Sequence, residues 1–122
     1  MLRSANCAMQ GPFPRGQSVQ FDKITGTNNV ICRNYAINDC GKSHPEDSIS
    51  LYMSAGEKDS PILIEDNYLT ADPSKGSAGM SKSGSGIMLG DSGGAYLICR
   101  HNVVISAGQV GVGVAGGRFF GA

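Results

Sequence analysis

Tryptophan is absent from this chain, histidine occurs only twice, and neither sign of charge prevails: 10 basic residues stand against 10 acidic ones over 122 positions. A balanced charge removes the attraction on which nucleic-acid backbones and anionic membrane surfaces depend, so no nucleic acid is expected as a partner. No apolar run approaches the roughly 20 residues a membrane-spanning helix requires, and no membrane insertion is expected. Helical periodicity is missing too, with no window that repeats apolar residues at i, i+3, i+4 and i+7. The N-terminal stretch MLRSANCAMQGPFPRG holds an arginine but no apolar segment, so it does not read as a signal peptide. The four cysteines (Cys7, Cys32, Cys40 and Cys99) match no zinc-ribbon or Cys-x-x-Cys spacing, and free thiols are the reading their positions favour.

Glycine, by contrast, is abundant. Its 18 occurrences punctuate short apolar runs rather than forming a linker, which argues for many turns between short strands. The strongest signal is an internal repeat. NVICRNYAIN (29–38), ILIEDNYLT (62–70) and LICRHNVVIS (97–106) align on Asn34, Asn67 and Asn102, with apolar residues three and four positions before each asparagine. A strand of period two precedes each: SVQFD, SISLY and GIMLG, followed by GVGVA near the C-terminus. Their inward pairs are Val19/Phe21, Ile49/Leu51, Ile87/Leu89 and Val112/Val114, and the starts lie 30, 38 and 25 residues apart. A unit of two or three short strands exposes unpaired backbone and a half-covered apolar face, so it is stable only when stacked on its neighbour. Stacking sets equivalent strands about 4.8 Å apart in parallel sheets. The asparagines then form a column in which carboxamides hydrogen-bond one to the next, at a bend where asparagine tolerates left-handed backbone. The expected fold is all-β, a right-handed parallel β-helix of about three to four coils with an asparagine ladder.

The stretches GPFPRGQSVQFDKITGTNNVI, HPEDSISLYMSAG, SGSGIMLGDSGGAYL and GQVGVGVAGG span most of the chain. Through them the sequence resembles the right-handed parallel β-helix repeat proteins of the pectate-lyase-like superfamily, specifically bacterial members of unassigned activity. The resemblance implies a single β-helix domain over 1–122 and a carbohydrate-active role. It also implies an extracellular or periplasmic location for the presumed parent protein. The chain shows neither of the capping units that solenoids use to cover their ends, so it is expected to be part of a longer solenoid.

One motif points elsewhere. Gly90-Asp91-Ser92-Gly93-Gly94 spells the segment around the nucleophile of trypsin-type serine proteases. That chemistry needs a histidine base, a buried aspartate and an oxyanion hole between two barrels, whereas the only histidines are His44 and His101. Aligned with the other repeats, GDSGG follows the third unit's first strand, so Ser92 is expected to be a turn residue and a serine protease is rejected. Asp91 matters more, because it sits where a strand leaves its sheet. Asp22 holds a similar place in the first unit, and Glu46 and Asp47 precede the second unit's strand.

Asp91, Asp47, Glu46 and Asp22 are therefore the candidate catalytic residues. On one face they would suit general acid/base work on a sugar, hydroxyl recognition or Ca2+; Ca2+ is the one cofactor the pattern allows, and none is certain. Tyr52, expected to point outward, is a candidate sugar-stacking platform, with Lys23 and Arg15 as candidate substrate-binding cations. Arg33, Lys58, Arg100 and His101 are further basic groups, with Arg33 and Arg100 expected to be structural. Cys32 and Cys99 fall in the first and third units, roughly 9.6 Å apart at two strand spacings, beyond disulfide reach. Cys40 could meet Cys7 only if the N-terminal segment folds back. The expected function is a carbohydrate-active module acting on or binding an acidic polysaccharide by lyase, epimerase or hydrolase chemistry. The alternative is a non-catalytic surface, adhesive or spike module, and the oligomeric state stays open.

Overall fold

The computed structural model describes residues 2–3, 16–38, 45–71, 85–105 and 107–121. Among them the only regular elements are strands: β1 (Leu2–Arg3), β2 (Val19–Asp22), β3 (Val30–Cys32), β4 (Tyr35–Asn38), β5 (Asp47–Tyr52), β6 (Ile62–Glu65), β7 (Tyr68–Ala71), β8 (Ser85–Asp91), β9 (Ala95–Arg100), β10 (Val103–Ile105), β11 (Val112–Val114) and β12 (Arg118–Gly121). They form three four-stranded sheets, ordered β2-β5-β8-β11, β3-β6-β9-β12 and β1-β4-β7-β10, and every pairing is parallel. Successive strands pass from the first sheet to the second to the third, and the chain then returns to the first one position further along. We call each such passage a circuit.

The register follows the repeat. Val19 lies beside Ile49, Ile49 beside Ile87, and Ile87 beside Val112. Alternation with period two turns every second residue inward. Ile49, Leu51, Ile87 and Leu89 from the first sheet meet Ile31, Ile62, Ile64 and Leu97 from the second and Ala36 and Leu69 from the third in one buried core. Each fully buried aliphatic side chain contributes about 1.5–3 kcal/mol. Val112 and Val114 share the inward columns but are 49% and 58% exposed, because no circuit among the described residues stacks beyond them. The segments ILIEDNYLT and LICRHNVVIS are each two strands parted by a bend.

The bends carry the asparagine ladder. Asn67 Oδ1 accepts from the Asn34 backbone N–H (3.1 Å) and Nδ2 (2.9 Å). Asn102 Oδ1 accepts from the Asn67 backbone N–H and Nδ2 at 3.0 and 2.9 Å. Each Nδ2 also donates back to a carbonyl of the preceding circuit, Asn67 Nδ2 to Ile31 O and Asn102 Nδ2 to Ile64 O. The left-handed residue at each bend, however, is not the asparagine but its predecessor: Arg33, Asp66 and His101 have φ of 55°, 57° and 54°. The asparagine is not left-handed and its amide pairs along the stack, while the preceding residue makes the corner.

The first bend is built alike, with Lys23, Met53 and Ser92 at φ 57°, 48° and 56°. Here the inner hydroxyl is Ser54, completely buried, which accepts from Ile24 N–H and lies 3.2 and 3.0 Å from the carbonyls of Phe21 and Tyr52. Cys32 and Cys99 are free thiols in adjacent columns, Cys32 beside Glu65 and Cys99 beside Ile64. Burial pushes the Cys99 thiol up, against the opposing pull of its hydrogen bond from Asn102. Cys7, Cys40, His44 and Arg15 lie outside the described residues.

Candidate functional site

The site begins with the GDSGG turn. Ser92 occupies the left-handed corner and Gly93 N–H closes back on Gly90 O at 2.9 Å. Gly90, at φ 65°, is an extra residue relative to the neighbouring strand, and the β5–β8 register shifts between Ser50 and Tyr52. In an unbroken ladder Gly90 would stand opposite Tyr52. The bulge absorbs it and sets Asp91 there instead. Tyr52 is also opposite Asp22. Asp22, Tyr52 and Asp91 therefore form one column across three consecutive circuits, at the end of the first sheet where each strand enters its bend.

Lys23 follows Asp22 directly, and its backbone N–H donates to Tyr52 O. Asp22 and Lys23 are exposed, and Tyr52 and Asp91 are partly so. The two carboxylate-bearing backbones are two strand spacings apart, about 9.6 Å. Unlike the paired rings Tyr35–Tyr68 (centroids 5.1 Å apart) and Tyr96–Phe119 (4.8 Å), which cover each other's faces between circuits, Tyr52 has carboxylates above and below it.

Glu46 and Asp47 are elsewhere. They stand at the opposite end of β5 from Tyr52, and only Glu46 is exposed. Asp47 lies on the strand face shared with Ile49 and Leu51 and is 6% exposed. Burial raises its carboxyl above the ordinary range. Hydrogen bonding from Ser85 opposes this in part, and the negative charges of Glu46 and Asp91 add to it. The structure thus groups Asp22, Lys23, Tyr52 and Asp91 and leaves Glu46 and Asp47 apart. Among the described residues no three His, Cys, Asp or Glu side chains gather closely enough to hold a metal ion.

A second charged array was not anticipated as a group. At the bend between the second and third sheets, Glu65 stands between Cys32 and Arg100, and the Arg100 Nε–Glu65 Oε2 pair is 2.7 Å long. In the next column Asp66 stands between Arg33 and His101, its Oδ1 3.9 Å from His101 Nδ1. The signal was present in the repeat alignment, which sets Glu65 beside Arg100 and Asp66 between Arg33 and His101. Exposed pairs of this kind contribute about 0–1 kcal/mol each. Ser92 and His101 belong to different bends.

Comparison with protein-family models, curated proteins and solved structures returns no match for this chain. What is established is the class: an all-β chain whose strands stack in parallel sheets, circuit on circuit. No helix among the described residues is long and apolar enough to cross a membrane.

Proposed function

We propose that the chain is a right-handed parallel β-helix of the pectate-lyase-like kind, and that it acts on or binds an acidic polysaccharide along the outer end of its first sheet. The observation that carries this reading is the column Asp22–Tyr52–Asp91 with Lys23 beside it. Tyr52 offers an amphipathic platform for a sugar ring, and the Lys23 ammonium a counter-charge for a uronate. The two aspartates flank the position a glycosidic bond would take. A backbone separation near 9.6 Å lies just above the roughly 6.5–9.5 Å that inverting hydrolysis uses between its carboxyl groups. It is too wide for the roughly 5 Å of a retaining pair, so of the two hydrolytic geometries the inverting one fits the spacing better.

The test is release of reducing ends from a panel of uronate-containing polysaccharides. Asp91→Asn is expected to abolish turnover while leaving the fold intact, and unchanged turnover would remove Asp91 from the site. Ser92→Ala is expected to leave activity unchanged, and labelling of Ser92 by an active-serine probe would reinstate the protease.

The second reading is a non-catalytic module, in which the same column of Asp22, Tyr52 and Asp91 only holds the sugar chain. That reading predicts binding without cleavage, weakened about tenfold or more by Tyr52→Ala, a loss of about 1.4 kcal/mol.

A further inference from the structure

The fourth circuit is bare where the first three carry the proposed site. Gly113 lies beside Met88, and Ala115 N–H donates to Leu89 O, which brings Gly116 level with Asp91. A Cβ at Gly116 would sit 3.5 Å from Gly90 O, so this stretch packs against the GDSGG turn. From Gly113 to Gly117 its only side chains are Val114, in an inward column, and the Ala115 methyl. No side chain of this stretch stands in the way of a ligand that continues past Asp91 along the stack.

Beyond the glycines the same circuit enters β12 with Arg118 and Phe119. Arg118 lies beside Ala95, and its N–H donates to Gly94 O at the far side of the turn. Phe119 stacks on Tyr96 with centroids 4.8 Å apart, and the Arg118 guanidinium carbon stands 5.6 Å from the Phe119 centroid. Both aromatic residues stand on left-handed backbone, at φ 58° for Phe119 and 52° for Tyr96. In the first circuit the same column holds Asn28 at φ 59°. Asparagine suits that conformation, whereas a bulky residue there is an outlier, and strain of this kind gathers at ligand clamps. Stacking covers one face of Phe119 and still leaves the residue 58% exposed. Unlike Arg100, which Glu65 engages, Arg118 has no ion pair among the described residues.

We propose that Arg118 and Phe119 form a second subsite of the polysaccharide site, one circuit beyond Asp91, which takes the next uronate of the glycan. The inference rests on the polysaccharide reading and extends it: the ligand is a chain that runs along the stack. A pyranose ring is comparable in length with one strand spacing of about 4.8 Å, so such a chain can set one sugar on each circuit. Lys23 in the first circuit and Arg118 in the fourth then place a cation at either end of the column Asp22–Tyr52–Asp91. The guanidinium meets a carboxylate with two parallel N–H donors, and the Phe119 ring offers an apolar surface to the C–H groups of a sugar.

Calorimetric titration with uronate oligosaccharides of two to six residues tests the subsite. Wild-type affinity is expected to rise up to about four residues, one per circuit, and then to level off. Arg118→Gln removes the charge, and Phe119→Asn removes the ring while keeping a residue that accepts the left-handed backbone. Each is expected to weaken the tetrasaccharide about tenfold and the disaccharide far less, whereas Tyr52→Ala weakens both. Equal losses at every length, or no loss at any, would overturn the subsite and leave the Tyr52 column in place. A wild-type affinity that stops rising at two residues would do the same. A Tyr52→Ala chain that binds like the wild type, or a wild type that binds none of the oligosaccharides, would overturn the polysaccharide reading and the subsite with it. Should either variant not fold, the wild-type length series decides alone.

Discussion

Replacement of Asn67 by alanine is expected to cost about 3–5 kcal/mol or more, enough to remove most of the stability of a domain this size. The side chain is 1% exposed and takes part in four hydrogen bonds, two as acceptor from Asn34 and two as donor to Ile31 O and Asn102 Oδ1. Truncation strands the Asn34 amide groups and the Ile31 carbonyl at once, where water has little access, and a buried polar group without a partner costs about 1–3 kcal/mol. Asn34→Ala, at the edge of the ladder and half-buried, is expected to cost markedly less. Urea unfolding followed by far-UV circular dichroism distinguishes them. Equal losses at the two positions would mean that the ladder is not the support the geometry makes it.

Gly56→Ala is the second large effect. A Cβ there would stand 2.5 Å from the backbone N of Ile62 and 2.8 Å from the backbone of Pro61, none of which can rotate aside. Gly56 N–H also donates to Ala95 O in the next circuit, so the chain cannot swing away without breaking a cross-circuit bond. The expected loss is about 3 kcal/mol or more. Gly16→Ala, where a Cβ meets nothing within 4 Å, is the matched control and should lie within about 0.5 kcal/mol of the wild type. A small loss at Gly56 would show that the loop after the first bend can give.

The stacking of circuits was legible because apolar alternation and the asparagine spacing report directly on inward-facing columns. Ile49 and Ile87 fell where period two placed them, and so did the ladder. The corners were not legible, because left-handed backbone at Arg33, Met53 or His101 leaves no glycine to mark it; the ladder pairings around these positions hold the conformation. For the same reason asparagine was expected to make the bend that its predecessor makes. At the site, the repeat alone sets Gly90 opposite Tyr52. Only the bulge brings Asp91 into line with Asp22, and a one-residue irregularity is invisible to a periodic pattern. The separation of Asp47 from that column was hidden because adjacent acids in sequence say nothing about which of them turns inward.

The charges at the second bend bear on how the chain avoids folding wrongly. An asparagine ladder is indifferent to order: any of the three amides could stack on any other, and a molecule that skipped a circuit would still find partners for them. The flanking columns break that indifference. If the first circuit stacked directly on the third, Arg33 would face His101, Arg100 would face Cys32, and the stacked pair Tyr35–Tyr68 would be lost. Only the sequence in which Glu65 and Asp66 lie in the middle sets Arg100 on Glu65 and His101 beside Asp66. The exposed charges add little to the strength of the finished stack; their effect is on its threading, where they make the skipped arrangement a poorer competitor than the ladder alone would.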